Sequence, residues 1–176
     1  TYTTNELPSC VVGTGAIVVA GVDLAVWGNG MAIADGDGTP ALADDTDYGQ
    51  VLTSGAGTHT FTITNTGNLT LTLTGTPAAV VGGAHAGDFT VTAQPGSTSL
   101  DEAETTTFDV QFAPGTTGFR TGVVSIANNS MNKDPYTFTL RGEGVSGSVP
   151  EIDVTGNGES ISDGDATPDT ADDTDF

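Results

Sequence analysis

Threonines and apolar residues alternate along most of the chain, and this alternation predicts β-strands. In residues 59–64 (HTFTIT) Phe61 and Ile63 fall on one face, and residues 69–74 (LTLTLT) place three leucines on one face. The sequence NTGN between them is typical of a turn, so the two runs predict a hairpin or a corner. Further strands are predicted at residues 88–92, 106–112, 120–127 and 136–141, with one or two more within 16–33.

Helical patterns are absent from the sequence. No stretch keeps the i, i+3, i+4 apolar spacing of an amphipathic helix. Turn sequences such as QPG at 94–96 and APG at 113–115 separate the strand-like runs at short intervals. About seven or eight strands spaced in this way are typical of a two-layer sandwich. The pattern therefore predicts an all-β fold whose core is filled by inward phenylalanines, leucines and valines.

An internal repeat divides the chain. Residues 28–48 read GNGMAIADGDGTPALADDTDY and residues 156–176 read GNGESISDGDATPDTADDTDF, which align without a gap at an offset of 156 − 28 = 128. Of the 21 aligned pairs, 14 are identical, and the strand-like segments 22–26 and 150–154 align at the same offset. A period of this length has the size of a domain. The chain therefore carries one complete unit and the opening of a second.

The repeat predicts four segments. Residues 22–144 form the sandwich, which includes the acidic motif 28–48, and residues 145–150 form a Gly/Ser-rich linker. Residues 151–176 begin a second repeat with a strand and a second acidic motif. Residues 1–21 form an N-terminal extension, which we interpret as a connector between subunits.

Three segments of the chain together resemble a known family of repeats. They are FTITNTGNLTLTLT at 61–74, VQFAPGTTGFRTGVVSIANN at 110–129 and YTFTLRGEG at 136–144. They are similar to immunoglobulin-like repeats of the ASPM–SPD-2–Hydin type and, among bacterial proteins, to the choice-of-anchor D group. Repeats of that group commonly open with a segment like 151–176. The resemblance covers roughly residues 22–176 and implies an immunoglobulin-like β-sandwich, tandem arrays, export and attachment to the cell surface. It does not imply catalysis.

The chain is strongly acidic, with 3 Lys and Arg against 23 Asp and Glu and a formal net charge of −20. Such a surface repels phosphate groups, so we expect no nucleic acid and no anionic lipid surface as a partner. The apolar segment 16–27 contains Gly21 and Asp23 and is too short to span a bilayer. Together with the resemblance, this composition predicts a secreted, extracellular protein at the cell surface.

The two copies of the repeat concentrate the acidic residues. The candidate ligands are Asp35, Asp37, Asp44, Asp45 and Asp47 in the first copy, and Asp163, Asp165, Asp172, Asp173 and Asp175 in the second, which also contains Asp169. Carboxylates in flexible loops are the hard oxygen ligands that Ca²⁺ prefers, so calcium is the one cofactor that the sequence suggests. The alternative is a solvated turn in which the carboxylates cap the backbone through Asx turns. The sequence leaves both readings open.

Side chains that could carry catalysis are few. His59, predicted on the outward face of its strand, and His85, predicted in a loop, are the only histidines, and Cys10 is the only thiol. A zinc site needs more nitrogen or sulfur ligands, and no nucleophile or phosphate-binding motif is present. We therefore expect no enzyme activity. Cys10 is interpreted as an inert thiol or, alternatively, as a partner in an intermolecular disulfide.

The opening of the second repeat suggests how the chain works. A strand at Glu151, Ile152, Asp153 and Val154 leaves backbone groups and the apolar Ile152 uncovered unless another sheet pairs with it. The first hypothesis is an extracellular structural protein whose subunits join head to tail in a filament, stalk or sheath by β-strand addition. Its partners are then copies of itself or adjacent repeats.

Two alternatives to a self-assembling subunit stay open. In the first, the chain is a repeat fragment of a long, calcium-rigidified surface adhesin, and residue 149 opens the next covalent repeat. In the second, it is a carbohydrate-binding module of an exported hydrolase, with a surface glycan as partner. The second alternative requires a flat row of exposed aromatic rings. Aromatic residues make up 6% of the chain, and most are predicted to point inward.

Overall fold

The strands fall into two separate parts of the chain. The computed structural model describes residues 21–147, 154–161 and 170–171. Contacts within the fold divide the chain into two compact units, Thr1–Val145 and Ser146–Phe176. The described strands of the first unit are β1 (Leu24–Gly28), β2 (Met31–Ile33), β3 (Asp47–Leu52), β4 (Gly57–Asn65), β5 (Leu71–Thr72), β6 (Ala79–Gly82), β7 (Phe89–Ala93), β8 (Ser99–Leu100), β9 (Thr105–Phe112), β10 (Gly118–Ile126) and β11 (Tyr136–Val145). The second unit has β12 (Val154–Gly156) and β13 (Glu159–Ile161).

Two sheets pack face to face in the first unit. One has the strand order β2-β1-β4-β9-β7 and the other has the order β3-β11-β10-β6. Neighbouring strands in these sheets run antiparallel, except that β3 runs parallel to β11. Short 3₁₀ helices at Leu42–Asp44 and Ala86–Asp88 lie between strands. The predicted all-β sandwich is confirmed. Among the described residues, no helix has the length and apolar character needed to cross a membrane.

Aromatic rings fill the space between the two sheets. The ring centroid of Phe61 lies 5.5 Å from that of Phe108 and 5.3 Å from that of Phe138. Phe89 and Phe112 stack with their centroids 4.8 Å apart. Burying one large apolar side chain contributes about 1.5–3 kcal/mol. The inward positions that the alternation predicts therefore form the core.

The corner after β4 differs from a hairpin. β5 does not pair with β4 but with β8, and Leu69 is 49% exposed although the alternation placed it inward with Leu71. The side chain of Asn65 causes this turn. Its amide donates to the carbonyls of Leu69 and Leu100, and its oxygen accepts a hydrogen bond from the Gly67 N–H. The chain therefore leaves the first sheet at Asn65, and the prediction of an inward Leu69 is wrong.

Candidate interaction site in two lead-in segments

Three segments define the candidate site. The first lead-in is residues 22–48, and the second lead-in is its repeat at residues 150–176. The body is residues 57–145, from β4 to β11. The first lead-in contributes β1, β2 and the start of β3 to the sandwich. The structure describes the second lead-in at residues 154–161 and 170–171.

A tight hairpin opens the first lead-in. β1 and β2 pair Val26 with Ile33, and the turn between them is made by Asn29 (φ 48°) and Gly30 (φ 73°). A two-residue type I′ turn needs a left-handed backbone at both positions, which Asn and Gly tolerate. β1 also pairs with β4, where Val26 lies opposite Ile63. Val26 and Ile33 are therefore buried, with exposed fractions of 0% and 2%.

Two loops of the body hold the start of the first lead-in. The N–H groups of Thr66 and Gly67 donate to the Asp23 carbonyl at 3.0 and 3.3 Å. Lys133 donates to the Leu24 carbonyl at 2.9 Å, and its ammonium forms an ion pair with the Asp23 carboxylate at 2.8 Å. We call these two contacts of Lys133 the Lys133 clasp. Sequence reasoning missed it, because a single lysine in a turn carries no pattern that assigns its partner.

The Lys133 clasp changes the ionisation of Asp23. Burial alone would raise the pKa of this carboxyl group. The hydrogen bond and charge of Lys133, with bonds from the Leu24 backbone and the Thr66 side chain, outweigh that effect and lower the pKa below its ordinary value. Asp23 is therefore fully ionised at neutral pH and keeps its charge for Lys133.

Every fixed cation of the chain is paired within the first unit. The pairs are Lys133–Asp23, Arg120–Asp88 and Arg141–Asp47. Such pairs between partly exposed groups usually contribute less than about 1 kcal/mol each, so their role is to position loops and strands. No lysine or arginine is left to offset the acidic surface or to receive an anionic ligand.

The acidic motif attaches the first lead-in to β11. The Asp35 carboxylate accepts a hydrogen bond from the Thr137 N–H at 2.9 Å, and the Gly36 N–H donates to the Thr137 carbonyl at 2.7 Å. The Asp37 carbonyl then accepts from the Thr139 N–H at 2.8 Å. The motif therefore runs beside β11 as a short parallel extension of the second sheet.

Two Asp-x-Thr triplets in the motif form the same local turn. The Asp37 carboxylate accepts from the N–H and the hydroxyl of Thr39, at 2.8 and 2.6 Å. The Asp44 carboxylate accepts from the N–H and the hydroxyl of Thr46, at 3.1 and 2.6 Å. These are Asx turns, in which a carboxylate replaces a backbone acceptor two residues before the donor.

Asp45 and Asp47 connect the end of the first lead-in to both sheets. One carboxylate oxygen of Asp47 accepts from the Gly49 N–H at 2.9 Å, and the other binds the Arg141 guanidinium on β11. The Asp45 carbonyl accepts from His59 Nδ1 on β4 at 2.7 Å. All five aspartates of the first motif therefore make contacts within the fold.

The structure bears on the calcium prediction only for the first copy of the motif. Among the described residues, no group of three or more His, Cys, Asp or Glu side chains is placed to hold a metal ion. Cys10, most of the N-terminal extension and the second-copy residues Asp163, Asp165, Asp172, Asp173 and Asp175 lie outside the described residues. Calcium binding stays a prediction. Calorimetric titration with Ca²⁺ of the chain, and of a variant without Asp35 and Asp37, tests it.

Both histidines hold backbone groups of the fold. The prediction that His59 faces outward is wrong, since its ring stacks on Tyr48 with the centroids 4.1 Å apart. His59 shares a face of β4 with Phe61, two residues later, as two-residue alternation requires. His85 Nδ1 accepts from the Thr121 N–H at 3.1 Å. Each imidazole therefore serves as a structural hydrogen-bonding group.

Exposed aromatic rings are few in the described part of the chain. Trp27 is 38% exposed on β1, and Phe119 is 63% exposed on β10 in the other sheet. Tyr48 and Tyr136 are buried, with exposed fractions of 7% and 3%. The described residues therefore lack the flat aromatic row that stacking on a glycan needs.

The hairpin of the second lead-in reproduces that of the first. β12 and β13 pair Val154 with Ile161, each 128 positions after its counterpart in the first hairpin. Asn157 (φ 50°) and Gly158 (φ 84°) make the turn. The same residues in the same left-handed conformations build the same type I′ turn. The repeated letters therefore encode a repeated local structure.

A second contact is also repeated. The Asn157 amide donates to the Ala171 carbonyl at 3.4 Å, and the Asn29 amide donates to the Ala43 carbonyl at 3.1 Å. Ala171 lies 128 positions after Ala43, so the turn is tied to the same point of the acidic motif in both lead-ins.

The two hairpins differ in what covers them. Val154 is 54% exposed, whereas Val26 is fully buried, and Ile161 is half-buried, whereas Ile33 is buried. In the described residues β12 pairs with β13 alone, but β1 pairs with β2 and β4. The predicted inter-subunit residues Glu151, Ile152 and Asp153 lie outside the described residues.

The two packed sheets, their strand order and the aromatic core define an immunoglobulin-like β-sandwich. A family model described as the HYDIN/CFA65/VesB-like, Ig-like domain matches residues 41–143. The chain belongs to this family, and the resemblance to ASPM–SPD-2–Hydin-type immunoglobulin-like repeats is confirmed. Among curated proteins, none matches the chain.

Solved structures with similar folds have low sequence identity to this chain. A protein of unknown function from Porphyromonas gingivalis W83 is 14% identical with a TM-score of 0.49, over 73% of this chain and 49% of that one. The secreted serine protease VesC from Vibrio cholerae is 20% identical with a TM-score of 0.45, over 56% and 21%. The ASH/PapD-like domain 7 of human CEP192 is 11% identical with a TM-score of 0.44, over 84% and 99%. This chain spans about half or less of the first two proteins.

Proposed function

We propose that the chain is an extracellular structural protein made of immunoglobulin-like repeats that join head to tail. The second lead-in carries this proposal, because it repeats the hairpin of the first while leaving Val154 exposed where Val26 is buried. A two-stranded hairpin is only marginally stable by itself, so its apolar face favours a covering sheet. A body outside the first unit, in the next repeat or the next subunit, supplies that sheet.

The chemistry of the first unit supports a spacing role. Its three fixed cations pair with aspartates, and its histidines hold backbone groups. The formal net charge of −20 keeps repeated modules soluble through mutual repulsion. A domain of this kind positions its neighbours and presents an acidic surface.

Imaging and mass determination of the native material test the proposal. Filaments of 17.6 kDa subunits that disappear on deletion of residues 149–176 would support strand addition between subunits. A much larger polypeptide with further repeats would support covalent repeats of a surface adhesin. Isolated particles of 17.6 kDa, neither assembled nor joined to further repeats, would contradict the structural role.

A further inference from the structure

Within residues 28–48 and their repeat at 156–176, the differences between the two lead-ins fall mainly at exposed positions. Seven of the 21 aligned positions differ, because 21 − 14 = 7. Five of the seven are exposed in the first lead-in: Met31, Ala32, Ala34, Gly38 and Leu42. Ala41 is half-buried, and buried Tyr48 becomes Phe176, a loss of one hydroxyl group. The buried positions of this stretch that stay identical are Gly28, Ile33, Thr46 and Asp47. Of residues 22–27 only the buried Val26 stays identical, and the buried Leu24 becomes Ile152, another aliphatic residue.

The polar groups that attach the first lead-in are kept as well. Asp35 and Asp47 bind backbone and guanidinium groups of β11, and Asp23 pairs with Lys133. Their counterparts in the second lead-in are Asp163, Asp175 and Glu151, so each position keeps its negative charge. A surface that had lost its partner would not need to keep buried and charged positions while its exposed positions changed.

We propose that the second lead-in docks on the body of a second copy of this chain, where it displaces that copy's first lead-in. This inference rests on the proposed function and names the partner of the same segment. Val154 then lies opposite Ile63 of the receiving body, as Val26 does in the first unit. Phe176 lacks the hydroxyl of Tyr48, so the replacement loses the hydrogen bond from that hydroxyl to the Val110 carbonyl.

The linker is too short for the second lead-in to dock on its own body. β1 starts beside Lys133, just before β11, and the ten residues of β11 cover roughly 30 Å before they end at Val145. Only residues 146–151 separate Val145 from Ile152, the counterpart of Leu24. Fully extended, that linker reaches roughly 25 Å at most. It is too short to return along β11 to the start of its own body.

Full-length variants test whether the second lead-in can replace the first lead-in on a body. Val26→Asp places a charge at a fully buried position and releases the first lead-in from its body, which leaves the second lead-in as the available replacement. We expect the mass of this variant, measured by sedimentation at rising concentration, to be at least twice that of Val26→Asp/Val154→Asp. Val154→Asp alone is the matched control for the added charge, because it leaves the buried positions of the first unit unaltered. At a concentration where both proteins are monomeric, it should unfold at the temperature of the unaltered chain.

The outcome of this comparison is decisive in both directions. The single and double variants carry the same damage to the first unit, so a difference in mass reports on Val154 alone. Equal masses, whether both variants are monomeric or both aggregate, would overturn the inference. A larger mass for Val26→Asp that disappears with Val154→Asp would support it.

Disulfide trapping checks the register of the docked segment. Trp27 lies opposite Thr62 on the outer face of β4, and the counterpart of Trp27 is Thr155. In the Val26→Asp background with Cys10→Ser, we expect Thr155→Cys to cross-link to Thr62→Cys of another molecule. Thr58→Cys, on the same face of β4, should not cross-link. Equal cross-linking at both positions would overturn docking in this register.

The inference and the proposed function can fail separately. Suppose that the native protein forms arrays but the mass of Val26→Asp does not exceed that of Val26→Asp/Val154→Asp. This result would refute docking on a second copy and leave the structural role in place. Suppose instead that the variants form the intermolecular disulfide but the native protein is an isolated monomer. This result would refute the structural role and leave the docking in place.

Discussion

Replacing Lys133 with methionine removes the Lys133 clasp and keeps most of the apolar side chain. A hydrogen bond from a charged donor contributes about 1.5–3 kcal/mol, and a partly exposed ion pair contributes at most ~1 kcal/mol. The side chains of Lys133 and Asp23 are 29% and 46% exposed, so the lower part of each range applies. We expect Lys133→Met to lower the free energy of unfolding by about 2 kcal/mol. Asp23→Asn, which removes the charge of the ion pair and keeps one acceptor oxygen, should cost about 0.5 kcal/mol.

Urea unfolding of Lys133→Met, Asp23→Asn and the double variant measures both costs and their coupling. The lowered pKa of Asp23 sets the pH dependence, because its stabilising contribution is present at neutral pH and is lost as pH falls through that lowered pKa. In acid, the cost of Asp23→Asn should vanish, whereas Lys133→Met should still lose the bond to the Leu24 carbonyl. Equal costs for the two single variants at neutral pH would refute this reasoning.

Three further predictions concern the core. Tyr48→Phe, the residue of the second copy, removes a buried 2.7 Å hydrogen bond and should cost about 1 kcal/mol in urea unfolding. Burial raises the pKa of the Tyr48 and Tyr136 phenols, so the free energy of unfolding should fall as pH rises above about 10, the ordinary phenol pKa; a flat profile there would contradict this. Gly142→Ala places a Cβ 2.3 Å from the Phe112 ring and should cost about 2–3 kcal/mol, whereas Gly82→Ala has open space and should leave the melting temperature nearly unchanged.

Long strands were predictable because their inward residues recur at every second position. β4, β9 and β11 show this period over 8 to 10 residues, which is enough to place Phe61, Phe108 and Phe138 in the core. β6 and β8 have 4 and 2 residues, too few for a period to be visible. In β3, a register shift opposite Arg141 and Glu143 breaks the alternation, so no pattern marked that strand.

The candidate site was predictable in part. The repeat itself follows from identical letters, and the Asn-Gly turn follows from its chemistry. The roles of the carboxylates did not follow, because an Asp-x-Thr triplet has the same spacing in an Asx turn and in a calcium loop. Their partners Thr137 and Arg141 lie about a hundred residues away along the chain. Both are on β11, which comes next to the motif only because it pairs with β3 in the folded sheet.

The chain enters and leaves the first unit at opposite ends of the sandwich, and this has a mechanical consequence. The first lead-in enters beside Lys133 and continues into β1, and β11 leaves toward the other end at Val145. A pull on the two ends of the unit therefore draws β1 and β11 along their axes in opposite directions. The hydrogen bonds of β1 with β4, and of β11 with β3 and β10, are then loaded together in shear and do not open one after another. A repeat built in this way resists stretching along its length, the direction in which a stalk or filament carries tension.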